Sequence, residues 1–478
     1  MKSKNTWLAI PCAAMLLAAG SVMTTQAATG WVMEGEEWVY YNGDGTKATD
    51  VFKKSGNNWY YLDSDGSMVY SSVVEVNDDY YYVNSAGAMV TNEWRAVDNE
   101  DAGSSEDEPD QWWYYFQANG KAVKRSGSSD RVKFSTLNTS TGPAKFTFDE
   151  EGHMLFGWID ESGEMLTDDD AWKNGIYYCG ENGNGRMTTG WKYIEAVNDE
   201  DEDREGEGYW FWFGTNGKKT SSDDSKRING RKYRFDENGA AHFEWYNNPG
   251  ATGSTASSAG KYYNTEEQCW LSTGWFKAVP DENADPEGYE DGEEVWYYAQ
   301  SDGDLVKSQI KRINGQSCGF DKFGKMLHGL YVITYDTDGK TILTADKIED
   351  ENQLPDTNDD TAFVYYFGDS PKEGAMKTGT ATLEIDGEKY YYSFQKSGSK
   401  KGAGTEGIDD DCIYIEGRRL EAEEGSKYQV VSYNGNDYLI NTSGKLVKNK
   451  KNVKDADGVY YKTDKKGVVL ESSEDKID

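Results

Sequence analysis

The sequence predicts an all-β chain, a solenoid of stacked β-hairpin repeats, and three observations carry that prediction. The core material is aromatic: Tyr 34, Trp 16 and Phe 16 make 14% of the 478 residues, and each such ring buries roughly 150–250 Å². A chain thin in aliphatic residues, with a formal net charge of −35, can still build a core from them. Gly is abundant at 52 and Pro scarce at 8, which suits many tight turns and excludes collagen and Pro-rich linkers. Finally, a unit of about 20 residues recurs: a Trp, a few polar residues, a run of aromatics, then a Gly.

Taken in chain order, Lys2 and Lys4 precede an apolar stretch from Trp7 to Met23 and the small-residue run Thr25-Gln26-Ala27-Ala28. That order is the one of a secretory signal peptide, residues 1–27, cleaved after Ala27 or Ala28. No second apolar span follows, so export without a membrane span is expected. The hairpin copies begin next. In six of them a leading aromatic stands seven residues before a Gly: Trp38 and Gly45, Trp59 and Gly66, Tyr80 and Gly87, Trp113 and Gly120, Trp210 and Gly217, Trp296 and Gly303. An aromatic strand that runs into a polar turn closed by Gly reads as a hairpin. One such hairpin cannot bury its own apolar face, so hairpins must stack. A longer period overlies the short one, because Trp94, Trp191 and Trp275 each open a segment with an acidic insert, an aromatic strand and a basic turn. The expected divisions are hairpin repeats over 28–125, insert-bearing super-repeats over 126–304 and degenerate repeats over 305–478.

Alternation along a strand puts the first and third aromatics on one face and the second and fourth on the other. Degenerate copies keep only the second and fourth: Phe146 and Phe148, Tyr233 and Phe235, Cys318 and Phe320, Tyr438 and Ile440. The even face is therefore expected to be core, and the odd face to be free for pocket lining.

The copies over residues 30–91 resemble the choline-binding or cell-wall-binding repeats of Gram-positive surface proteins. Gly30-Trp31 supplies the GW element, Trp59-Tyr60-Tyr61 the strand, and Gly66-Ser67-Met68 and Gly87-Ala88-Met89 the closing turns. GWID at 157, RMTTGW at 186–191 and LSTGW at 271–275 restore further pieces, whereas the GW element vanishes past residue 305. The resemblance implies choline cages of rings and a Met, which hold a quaternary cation by cation–π attraction. Carried over, it points to Trp31 and Trp38 with Tyr61 and Met68, and to Trp59 with Tyr82 and Met89. Similar clusters are Trp191, Trp210 and Trp212, and Trp275, Trp296 and Tyr298. It further implies a surface protein, secreted by a Gram-positive bacterium, whose partner is a wall polymer, either choline-substituted teichoic acid or polysaccharide. Related aromatic repeats stack sugars, so a carbohydrate-binding adhesin for glucan or host glycan stays open, as does a purely structural array.

The charge balance argues against nucleic acid and anionic membranes as partners. Acidic runs at 98–110, 199–207, 281–294 and 349–360 hold 28 of the 85 carboxylates. None completes a calcium loop, and they read as solvated inserts. Cys179, Cys269, Cys318 and Cys412 are widely spaced, with no CxxC pair, which suits isolated buried thiols and neither a metal site nor a disulfide scaffold. His153, His242 and His328 each follow the Gly of a degenerate hairpin, far apart in sequence. A zinc hydrolase needs its ligands in one site. No cofactor, no metal and no enzyme activity are expected.

Overall fold

The computed structural model describes residues 29–104, 109–125, 131–196, 207–247, 260–368 and 374–478. The expected signal peptide lies outside these residues, as does most of the acidic run at 199–207. Two compact units divide the chain, residues 1–220 and 221–478. Each is built from small antiparallel sheets, most of them two-stranded hairpins. The fold is an all-β stack of hairpin repeats.

The hairpin Val51–Ser55 with Asn58–Leu62 shows how the sequence makes the unit. Its register pairs Phe52 with Tyr61 and Lys54 with Trp59. The polar turn that follows is closed by an Asx side chain: Asp63 Oδ1 accepts from the amides of Asp65 and Ser67, and the Asp63 carbonyl accepts from Gly66 N–H. This is the Asp or Asn turn preference at work. Asn84, Asp321, Asn441 and Asp464 repeat it. Beyond the turn the chain runs back along its own strand, with Leu62 bridging Met68.

Stacking is a backbone affair as well. Two residues after the turn Gly, Met68 N–H donates to the Trp38 carbonyl of the preceding hairpin at 2.8 Å, and Met89 N–H donates likewise to Trp59 at 2.8 Å. Met154 to Trp113 in the first unit, and Met326 to Trp296 in the second, repeat the rung at 2.7 and 2.8 Å. The methionine therefore sits where the next hairpin's turn must land. A Cβ on Gly120 would meet Met89 Sδ at 2.5 Å, and Gly120 has φ +84°. Both facts demand glycine. Gly120→Ala should cost about 1–3 kcal/mol from strain and crowding together, read by chemical denaturation. Adding Met89→Ala should recover only the crowding part, and full recovery would mean that the backbone carries no strain there.

The second and fourth strand positions are the buried ones. Tyr114 and Phe116, Phe146 and Phe148, Phe211 and Phe213 line the core in the first unit, and Tyr233 and Phe235, Tyr297 and Ala299, Cys318 and Phe320, Tyr438 and Ile440 in the second. The odd face is not uniformly open, however. Tyr61, Thr147 and Leu439 are buried too, Tyr61 by packing with Phe52, Val74 and Val83.

Towards the C-terminus the hairpins merge. Gly329–Tyr335 is flanked by Ile342–Ile348 and Ala362–Phe367, and Gly379–Ile385 and Glu388–Phe394 join a five-stranded sheet with three short strands. Aliphatic pairs such as Leu330 with Val364, and Leu383 with Ile385, build the core there.

The acidic inserts that fall within the described residues are folded. In 281–294, Asp285 caps the short helix Pro286–Glu290 and pairs with Lys325 at 2.7 Å. Asp281 accepts from Asn247 and from the Ala284 amide. In 349–360, Asp350 and Gln353 form a capping box. Asp281 and Asp285 are buried and hold the first loop, while the other carboxylates of these two runs are exposed to solvent.

Candidate functional site

Strand register decides which rings meet. The GW tryptophans Trp31, Trp191 and Trp275, and Trp94 at the same hairpin position, lie directly across from the third aromatic of their hairpins: Trp31 from Tyr40, Trp94 from Tyr115, Trp191 from Trp212, Trp275 from Tyr298. All four pairs are in edge contact, with centroids 5.1–5.4 Å apart. The ring at this position also reaches the even face of the following hairpin, as Trp31 does to Tyr60 at 5.5 Å, Trp94 to Phe146 at 4.9 Å and Trp275 to Phe320 at 5.8 Å.

Two of the expected clusters are therefore assembled. Trp191 touches both Trp210 (6.4 Å) and Trp212 (5.3 Å), and Tyr193 packs on Trp210 from across the strand. Trp275 touches Trp296 (6.3 Å) and Tyr298 (5.1 Å), and all three lie over the core of Val306, Cys318 and Phe320.

The two expected N-terminal cages come out differently. Trp38 and Met68 are joined by the backbone rung, as are Trp59 and Met89. Tyr61, however, is 8% exposed and packs with Phe52, Val74 and Val83. Burial, then Asp50 and Asp63, raise its phenol above the usual range. The ring that faces Trp31 is Tyr60, one residue earlier and on the opposite strand face. Tyr82 packs toward Val90, Tyr114 and Phe116, with the Arg95 guanidinium 5.8 Å from its ring. Trp59 remains 42% exposed.

Cross-strand lysines occupy several of these rings. Lys54 Nζ lies 5.9 Å from Trp59, its register partner, and Lys277 Nζ lies 5.6 Å from Trp296. A ring already facing an ammonium has less of its π face to offer another cation. Trp113 differs, because its register partner is Ala96. There a cavity of about 450 Å³ opens, lined by Trp94, Trp113, Phe146 and Met154, with Thr139, Asn184 and Arg186 at its rim. Arg186 Nη2 donates to the hydroxyls of Thr139 and Thr141, each at 2.6 Å. Two indoles, a phenyl ring and a thioether can enclose a methylated cation or the face of a sugar.

Residues 52–94, which include Trp59, Tyr82 and Met89, match the family model described as choline-binding repeat. The crystal structure of the choline-binding domain of Spr1274 from Streptococcus pneumoniae is similar at 31% identity, over 20% of this chain and 95% of that one, with a TM-score of 0.15. The chain belongs to the choline-binding repeat family. Two further pneumococcal structures are similar to this choline-binding-repeat chain. CbpJ of S. pneumoniae TIGR4 is 17% identical, over 78% of this chain and 99% of that one, at TM-score 0.38. Choline-binding protein F is 18% identical over 77% and 98%, at TM-score 0.34. No curated protein matches the sequence.

In this choline-binding-repeat chain the Trp94 and Trp113 pocket went unassigned by sequence reasoning. Its signal was present: Trp94 opens a super-repeat and Trp113 leads an aromatic strand. What the repeat pattern lacked was the small residue opposite Trp113, which only strand register reveals. The four cysteines are buried and in no disulfide among the described residues, Cys269 donating to the Glu266 carbonyl, and burial pushes the Cys179 thiol up to about 12, which keeps it in the unreactive thiol form. His153 bonds Asp149 at 2.7 Å and stacks on Trp112 at 4.5 Å. Burial lowers the affinity of His242 for a proton, and its Nε2 lies 3.1 Å from the Trp245 carbonyl. Among the described residues no helix is long and apolar enough to cross a membrane.

Proposed function

We propose that this chain is a non-catalytic, surface-located binding protein that docks on a choline-bearing or saccharide wall polymer through aromatic pockets on its hairpin stack. The observation that carries the reading is the cavity formed by Trp94, Trp113, Phe146 and Met154. A quaternary ammonium needs no hydrogen bonds and is attracted to the negative faces of rings. In a desolvated cage this contributes about 2 kcal/mol or more. Single sites of that strength are weak, and retention on a polymer comes from avidity among tethered sites.

Saccharide stacking is the second reading. The polar rim favours it, since Asn184, Arg186 and Thr139 offer hydrogen-bonding groups beside the indoles, as sugar hydroxyls require.

The test is retention of the purified chain on Gram-positive cell walls, eluted in parallel with choline chloride, glucan oligosaccharides and sodium chloride. Elution at millimolar choline but not by equimolar salt is the expected result. Release by sugar alone would transfer the pocket to saccharides, and a chain that passes through without retention would defeat the wall-binding reading.

A further inference from the structure

The hairpin Asp223–Ile228 with Arg231–Phe235 gathers positive charge in a chain of net charge −35. Its tight Asn229-Gly230 turn has φ +48° and +84°. Register places Arg227 directly opposite Lys232, and Arg231 opposite Ile228. Like charges facing each other across an antiparallel pair repel. Neighbouring cations of the same hairpin are neutralised: Lys226 pairs with Asp223 at 3.7 Å, and Arg234 pairs with Asp224. Arg227, Arg231 and Lys232 have no carboxylate partner among the described residues. Asp302 is within Coulomb range of Lys232 but forms no ion pair with it.

Arg227 and Lys232 share one strand face and Arg231 lies beside the turn on the other; all three residues border a cavity of about 400 Å³ that also takes in Trp270, Ser272 and Trp275. The Arg231 guanidinium lies 3.4 Å from the Trp270 ring centroid, a stacking that holds its plane, and it also hydrogen-bonds the Tyr233 side chain, which leaves further N–H groups of its five-donor fork for a ligand. Ser272 is 5% exposed, and its buried hydroxyl has no hydrogen-bond partner. Buried hydroxyls are nearly always satisfied, so this one marks a place where a ligand atom belongs.

We infer that this cavity is an anion site for a phosphate ester, with Arg227, Arg231 and Lys232 donating to the phosphoryl oxygens, Ser272 completing the shell, and Trp270 and Trp275 taking the ester's organic part. Cationic donors contributed by two strands, together with a hydroxyl, suit a tetrahedral oxyanion better than a planar carboxylate. The site requires no ammonium and so stands apart from the choline reading; failure of choline to elute the chain would leave it untouched. The phosphoryl group could belong to a phosphodiester polymer or to a free monoester, and the two differ in avidity.

The experiment is calorimetric titration of the full chain with inorganic phosphate, glycerol 3-phosphate and a poly(glycerol phosphate) oligomer, with glycerol as the neutral control. Saturable phosphate binding that weakens with added sodium chloride is expected, and Arg231→Gln and Lys232→Gln should each weaken it about tenfold, as losing a charge-assisted hydrogen bond does. Oligomer binding that is much tighter than monoester binding assigns the polymer as source, and equal affinities assign the monoester. Arg227→Gln guards against misfolding: it removes a repulsion, so it should melt no lower than the parent while gaining less melting temperature from added phosphate. Equal binding by parent and variants, equal thermal gains, or no binding of any phosphate probe would overturn the proposal.

Discussion

Trp113→Ala should weaken choline binding by about 30-fold, as measured by titration of the purified chain, with a smaller loss of thermal stability than Trp94→Ala. The factor corresponds to losing about 2 kcal/mol of cation–π attraction. Trp113 is chosen over Trp94 because Trp94 also makes close ring contacts with Phe146 and Phe148; both indoles border the Phe146, Phe148 and Met154 core cluster, so melting is followed alongside binding. The stacking rung is spared, since it uses the Trp113 carbonyl and not its ring. Trp59→Ala is the informative partner variant. Its ring is equally aromatic and more exposed, yet Lys54 already lies over it, so the expected loss is under about threefold. Equal losses for the two variants would show that cross-strand lysines do not select among the rings, and a Trp113→Ala chain that binds like the parent would remove this pocket from the binding surface.

Phe320→Ala should destabilise the protein by about 3–5 kcal/mol, the usual cost of emptying a buried phenylalanine site. Phe320 is fully buried, stacks with Trp275 at 5.8 Å and shares its cluster with Val306, Ile313 and Met326. For a unit of residues 221–478, the melting transition should fall by roughly 10 °C. Scanning calorimetry reads this directly. Trp59→Ala, at a 42% exposed ring, should move the transition by far less. A shift for Phe320→Ala no larger than that for Trp59→Ala would refute the division between the faces.

That division was legible in the sequence because it rests on the two-residue period of a strand; Tyr61, Thr147 and Leu439 depart from it where tertiary packing covers the odd face as well. Degenerate copies such as Lys145-Phe146-Thr147-Phe148 exposed it, since the positions they kept are the ones that must be apolar. The turn offset from Trp59 to Gly66 was legible for a similarly local reason: an Asx side chain and a positive-φ Gly close the same hydrogen-bonded loop each time.

The binding residues were less legible. A cage is made across hairpins, and its quality depends on what faces each ring. Tyr61 and Tyr60 are adjacent and chemically identical, yet one packs with Phe52, Val74 and Val83 and the other meets Trp31, contacts that come from other hairpins and strands. Trp59 and Trp113 occupy the same position of the repeat, yet one faces Lys54 and the other Ala96. Strand register sets those partners, and register depends on the hairpin closing.

By itself, then, the sequence determined the hairpin unit, its turn chemistry and its buried face, all of which follow from interactions within about 20 residues of chain. Only the tertiary structure decided which aromatic rings stay open, how the acidic insert at 281–294 folds back onto Lys325, and how Arg227, Arg231 and Lys232 come to face one cavity with an unpartnered Ser272 hydroxyl. These depend on side chains brought together from different hairpins, whose proximity no local period encodes.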